Sequence, residues 1–256
     1  MALNPPITDW VDRRVWLVGA STGIGAALAK ELQSAGAIVA LSARSAGPLN
    51  DLISNPQSIA LPLDVTDESA LKNAFNQIMD RWGKIHLIVW LAGTYSEMRV
   101  DDFDAARAIQ INRVNYEALL LGLGVILPVI SKQGFGTIAL VSSVAGYGGL
   151  PKSLAYGPTK AAMINLAETL YIDLHSRNVG VVLISPGFVE TPLTAQNNFK
   201  MPALITSAQA AKAIRKGLEQ GRFEIAFPKR FTNWLRLLRL VPYRVYFAVV
   251  SRFTGL

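Results

Sequence analysis

Stretches that are apolar at nearly every position alternate, along most of the chain, with segments whose apolar residues recur at helical spacing. The apolar stretches fall at 14–20, 37–44, 58–65, 85–93, 136–143, 179–185 and 223–227. A half-solvated strand alternates apolar and polar residues, whereas a strand apolar on both faces is covered on both. Between the stretches, 24–35, 67–82, 103–130, 153–176 and 207–220 read as helices, with a short one expected at 50–55. Thr66 or Asp67 offers a cap for the segment at 67, and Gly83 a stop. This alternation predicts an α/β fold, a doubly wound, mostly parallel seven-stranded sheet with helices on both faces. Ligands of such sheets gather at the carboxyl ends of the strands.

Size and composition narrow the function classes. The chain has 256 residues, 51% of them hydrophobic, enough for one large core. We expect a single domain over 1–228, with 229–256 as a basic amphipathic extension of it. No cysteine is present, which excludes disulfides, a thiol nucleophile and thiolate metal sites. The two histidines, His86 and His175, are far apart, so no metal is predicted. The formal charge is +7, and it comes from the tail. From Lys229 onward there are six basic residues and no acid, while the other 228 residues carry 19 basic and 18 acidic groups. One basic tail does not make a nucleic-acid groove, so no nucleic-acid partner is expected. The N-terminus lacks a signal-peptide pattern, and the apolar stretch 118–130 is short for a bilayer and contains Pro128. The expected location is cytoplasmic, with peripheral membrane contact only through the tail.

Gly19-Ala20-Ser21-Thr22-Gly23-Ile24-Gly25 lies between the first predicted strand and the first helix. Glycines there let the chain turn sharply and let a pyrophosphate approach the helix N-terminus, where free N–H groups favour anions. The spacing is a variant of the dinucleotide fingerprint. After the second strand an acid would favour NAD(H) by binding a ribose 2′-hydroxyl. No acid occurs between Glu31 and Asp51; the strand instead runs into Arg44 and Ser45. A guanidinium suits a 2′-phosphate, so NADP(H) is preferred, with NAD(H) possible.

Tyr156 and Lys160 are four residues apart and share one face of the predicted helix. Alone, such a pair is usually a solvated helix face. Ser143, thirteen residues before the tyrosine, changes that reading. Taken together these residues resemble the short-chain dehydrogenase/reductase family in its single-domain, Rossmann-type form. The resemblance covers about 14–227. Asp64-Val65 matches the pair ending the third strand, where the family's aspartate meets the adenine. Ser142-Ser143 matches the serine stretch, Tyr156 and Lys160 the Tyr-x-x-x-Lys pair, and Pro186-Gly187-Phe188-Val189-Glu190-Thr191 the turn near the nicotinamide. The family's Asn-Ala-Gly reads Leu91-Ala92-Gly93 here, and its threonine before the first glycine is Val18. Its helix asparagine has two candidates, Asn112 and Asn115; Asn115 is chosen for its distance to Pro128.

The resemblance implies hydride transfer between nicotinamide and a carbonyl or secondary alcohol. Tyr156 is then the general acid/base, Ser143 a donor to the substrate oxygen, Lys160 the group that lowers the tyrosine pKa and holds the ribose, and Asn115 the holder of a water behind Lys160. It also implies a homodimer or homotetramer. Tyr95, Tyr147, Leu150, Phe188, Leu193 and Phe199 make the expected substrate wall apolar, which suits a small apolar ketone, aldehyde or alcohol. The tail mixes aromatic and aliphatic residues with spaced arginines, and Pro242 should interrupt it. Either it lies on an anionic membrane, or its apolar face packs on the body or a partner subunit; the second is favoured because arginines snorkel around a buried stripe. The alternative function is a binding protein that senses NADP(H) or a lipid with little turnover.

Overall fold

A computed structural model of the chain describes residues 2–198 and 201–254. Seven strands form one sheet: β1 (Arg14–Val18), β2 (Ile38–Ser42), β3 (Ile59–Ala60), β4 (Leu87–Trp90), β5 (Thr137–Val141), β6 (Gly180–Pro186) and, at its edge, β9 (Glu224–Phe227). Their order is β3-β2-β1-β4-β5-β6-β9, and every neighbouring pair is parallel. The order reverses between β1 and β4, which opens a crevice at their carboxyl ends.

Side chains alternate across β1. Trp16 and Val18 enter a core shared with α3 (Glu68–Trp82), α5 (Ala118–Gln133) and α6 (Tyr156–His175). Val15 and Leu17 enter the opposite core, under α1 (Gly23–Ser34) and α7 (Ser207–Glu219). The period of two therefore feeds two cores from one strand. Asp67 caps α3, its carboxylate accepting from Ala70 N at 3.0 Å, and Gly83 ends that helix at φ 69°.

Several boundaries differ from expectation for local reasons. The short helix α2 is Ala46–Asn50, earlier than 50–55. Pro48 fits within a first turn, whose N–H groups have no intrahelical partner, and Leu49 anchors the turn in the core. The third strand is only two residues long, although Leu61 N and Leu63 N still donate to Leu41 O and Ala43 O. Pro62 lies between those donors, so its missing N–H falls on the open edge of the sheet, where proline is tolerated.

The long helix runs as α4 (Ala105–Asn112), a π turn (Arg113–Glu117) and α5, passing Pro128 and stopping at Gly134 with φ 72°. Its 29 residues are long and apolar enough to cross a bilayer, beyond the reach given to 118–130 alone. Leu119, Leu123, Ile126 and Ile130 are instead buried against the sheet and α3. A two-stranded ribbon, β7 (Val189–Glu190) and β8 (Ile205–Thr206), was not expected. The tail forms α8 (Lys229–Leu238) and α9 (Tyr243–Thr254), separated at Pro242.

Gly122 lets α5 close on β4. A Cβ there would lie 2.3 Å from the Trp90 ring, and Trp90 is buried with nowhere to move. Gly122→Val should therefore lower Tm by about 5 °C, measured calorimetrically. An unchanged Tm would mean that the helix does not approach the strand this closely.

Candidate active site

The crevice is a cleft of about 670 Å³ at the carboxyl ends of the strands. Of the catalytic and cofactor-binding residues expected, all but Asn115 line it: Gly19, Ser21, Thr22, Gly23, Ile24, Gly25, Arg44, Ser45, Asp64, Val65, Ala92, Gly93, Ser143, Tyr156, Lys160, Pro186, Gly187, Val189 and Thr191.

The glycine loop is tight by necessity. Gly19 has φ 94°, and a Cβ on it would lie 2.6 Å from Ala92 N. A Cβ on Gly25 would lie 2.3 Å from Gly19 O. Thr22 is the N-cap of α1, but its hydroxyl makes no cap bond, so the first N–H groups of the helix have no side-chain partner. An anion at this end is favoured by the dipole and the unpaired donors. Arg44 is exposed at the cleft rim, near enough to help hold the Asp64 carboxyl below its ordinary range. The larger causes of that shift are the bonds Asp64 accepts from Thr66 N (2.9 Å) and Thr66 Oγ1 (2.8 Å).

At the other end of the cleft, Tyr156 is the first residue of α6. Burial pushes its pKa up to about 12, against a smaller lowering from the nearby Ser143 hydroxyl, whose Oγ donates to Pro186 O at 3.5 Å. Ser143 caps a 3-10 turn, its Oγ accepting from Ala145 N at 3.2 Å, which aims the hydroxyl at the cleft. Lys160 follows one turn later, with Nζ 5.5 Å from the Tyr156 ring centroid. That Nζ donates to Val141 O (3.0 Å) and Met163 Sδ (3.5 Å). Burial lowers its pKa to about 8. The expected depression of the tyrosine pKa by the lysine is thus absent here: desolvation of the phenol outweighs an ammonium turned toward a carbonyl.

Asn115 is fully buried in the π turn, whereas Asn112 is exposed. The Asn115 side chain accepts from Thr94 N (2.6 Å) and donates to Thr94 O (3.0 Å) and Thr159 Oγ1 (3.1 Å). Both its N–H donors are used, so it braces the strand end against α6. The missing Cβ of Gly93 keeps the space between it and the lysine open, since a Cβ would sit 3.3 Å from Asn115 Oδ1 and 3.5 Å from Lys160 Nζ. Sequence reasoning missed three further holders. Ser142 Oγ donates to Lys160 O (2.7 Å), and Thr94 and Thr159 complete the asparagine's bonds. Ser142 was legible only as the neighbour of Ser143.

Tyr95, Leu150, Phe188 and Leu193 line the substrate half of the cleft, and Tyr95 meets Tyr156 edge-on at 5.1 Å. Tyr147 does not join them. It is buried, with its hydroxyl on Glu224, a carboxylate 77 residues away that local reading does not reach. Phe199 lies outside the described residues.

Comparison with known proteins agrees with this geometry. A family model described as short chain dehydrogenase matches residues 13–202. An uncharacterized oxidoreductase of Myxococcus xanthus is 30% identical over 245 residues, covering 94% of this chain and 97% of the relative. An Arabidopsis thaliana protein described as 11-beta-hydroxysteroid dehydrogenase-like 4A is 29% identical, covering 88% and 78%. Among solved structures, a short chain dehydrogenase from Burkholderia cenocepacia in complex with NADP superposes with TM-score 0.82 at 22% identity, covering 94% and 98%. A short chain dehydrogenase/reductase from Burkholderia phymatum in complex with NAD gives TM-score 0.81 at 22% identity, covering 90% and 93%.

The buried lysine opposes folding while it is charged. Its pKa falls from 10.5 to about 8 in the fold, so between these values the unfolded chain binds more protons. Stability contributed at this site therefore rises with pH across that window and is lowest below pH 8. Lys160→Met should make the protein about 1–3 kcal/mol more stable at pH 7 in chemical denaturation. The gain should shrink as pH rises toward 10. A variant less stable at pH 7 would show that the Val141 bond outweighs the desolvation.

Proposed function

The chain belongs to the short-chain dehydrogenase family, and from that membership we propose an NADP(H)-dependent reductase of small apolar carbonyl compounds. One observation carries the reading: a phenol, a serine hydroxyl and, one turn on, a lysine converge at one end of a glycine-lined cleft. The nucleotide end fits the cofactor, because the open N-terminus of α1 and the absent Cβ of Gly25 leave room and donors for a pyrophosphate. Arg44 and Ser45 would hold the 2′-phosphate, and Asp64 and Val65 the adenine. When bound, the nicotinamide supplies the hydride.

The chain's own part is proton transfer and orientation. Tyr156, neutral at physiological pH, gives its proton to the carbonyl oxygen, and Ser143 donates a hydrogen bond to the same oxygen as charge develops. Lys160 favours the resulting phenolate by its charge, at the moment when the phenol's own desolvation resists it. In alcohol oxidation the same groups act in reverse.

The substrate class follows from the lining. Among the described residues, the charged side chains of the cleft are Arg44 and Asp64 at the nucleotide end and Lys160, which is buried beside the Tyr156 ring. A neutral, apolar carbonyl suits the aromatic half, and the hydroxysteroid dehydrogenase-like relative points the same way. A sensing role without turnover has no use for the Ser143–Tyr156 pair. Exposed Ile109 and Ile172, on α4 and α6, support a homodimer or homotetramer.

Tyr156→Phe should lower kcat by about 10²–10⁴-fold in a carbonyl screen followed by NADPH absorbance, with NADPH affinity nearly unchanged. Turnover at the parent rate would remove the tyrosine from the chemistry. Arg44→Asp should weaken NADPH binding by about tenfold or more and shift preference toward NADH. Equal cofactor titrations for parent and variant would reject the role of Arg44.

A further inference from the structure

We propose that α8 and α9 dock this protein on an anionic lipid bilayer, with their outer face in the interface and their inner face fixed to the wall of the substrate cleft. The inner face is well held. Leu235, Leu238 and Tyr246 are buried, and the Tyr246 hydroxyl donates to Gly149 O at 2.7 Å. Arg236 pairs with Glu224, which also accepts from Tyr147. Packing on the body, favoured from sequence, therefore describes this half of the tail.

The outer face remains uncovered. Leu240 is 81% exposed, Tyr243 78% and Phe253 73%, with Leu237, Phe247 and Trp234 exposed beside them. Trp234 meets Phe253 edge-on at 5.3 Å, so exposed aromatic side chains of the two helices meet. Exposed apolar area of this kind marks an interaction site.

Charge identifies the occupant. Lys229, Arg230, Arg239, Arg244 and Arg252 are exposed around the patch, and no acid occurs from 229 onward. A second copy would bring the same cations against these and repel them. An anionic bilayer accepts both parts, the apolar residues below the headgroups and the arginines among them. Aromatic side chains are enriched at that depth.

The patch also adjoins the cleft. Phe231 of α8 packs on Phe188 at 5.6 Å, and Phe188 lines the cleft. Tyr246 holds Gly149, next to the lining residue Leu150. A docked molecule thus sets the aromatic half of its cleft beside the lipid, where an apolar carbonyl partitions. That last consequence rests on the reductase reading; the docking does not.

The test is co-sedimentation of the full chain with phosphatidylcholine vesicles, with and without phosphatidylglycerol. The parent should bind the anionic vesicles about tenfold or more tightly than the neutral ones. Leu240→Glu with Phe247→Glu, and separately Arg239→Gln with Arg244→Gln, should each weaken that binding about tenfold. NADPH binding and turnover of a water-soluble carbonyl, measured on the same samples, should not change. Failure of docking and failure of the reductase reading are then separately visible. Absence of parent binding, or equal binding by the variants, would overturn the proposal. So would a dimer, seen by sedimentation velocity, that the Leu240/Phe247 variant loses.

Discussion

The buried ammonium of Lys160 joins α6 to the end of β5, and the other groups of the cleft take their positions from that junction. Its Nζ donates to Val141 O, and its backbone carbonyl accepts from Ser142. Gly146 lets the following turn press on the same helix, since a Cβ there would lie 2.7 Å from the Lys160 carbonyl carbon. Thr159, one residue earlier, carries the contact to Asn115, and Asn115 carries it to Thr94 beyond β4. Two strands, the π turn and one helix are thus linked by polar groups with little access to water. Such a network, when satisfied, fixes the directions of its members.

This arrangement trades stability for chemistry. A lysine at this depth is held against its own desolvation, and a phenol beside it is held neutral. Under the proposed function, a protonated phenol beside a cation that stabilises the phenolate left behind suits reduction. Local violations of the rules that stabilise a fold are expected where function resides.

Most of the architecture was legible because it depends on short-range patterns. Fully apolar strands announced a sheet covered on both faces, and the glycine loop and the Tyr156–Lys160 spacing located both ends of the cleft. What escaped depended on contacts across the chain. Tyr147 looks like a wall residue until Glu224 arrives from β9 to take its hydroxyl. Ser142 and Ser143 differ in direction: one donates to the Lys160 carbonyl, the other to the Pro186 carbonyl at the cleft. The spacing of Tyr156 and Lys160 reports proximity but not the burial that raises the tyrosine's pKa in the cleft. The two readings of the tail looked exclusive in one dimension; one face of its helices packs on the body, and the other stays exposed for the docking proposed above.

The π turn at Arg113–Glu117 interrupts one continuous helix in the middle. One residue more or less in an α-helix rotates everything beyond it by about 100°. The wide turn absorbs that rotation locally, so the half before it, with Ile109 exposed, and the half after it, with Leu119 and Leu123 buried, keep independent registers. Asn115 stands in the wide turn itself, so the anchor to Thr94 and Thr159 belongs to neither register.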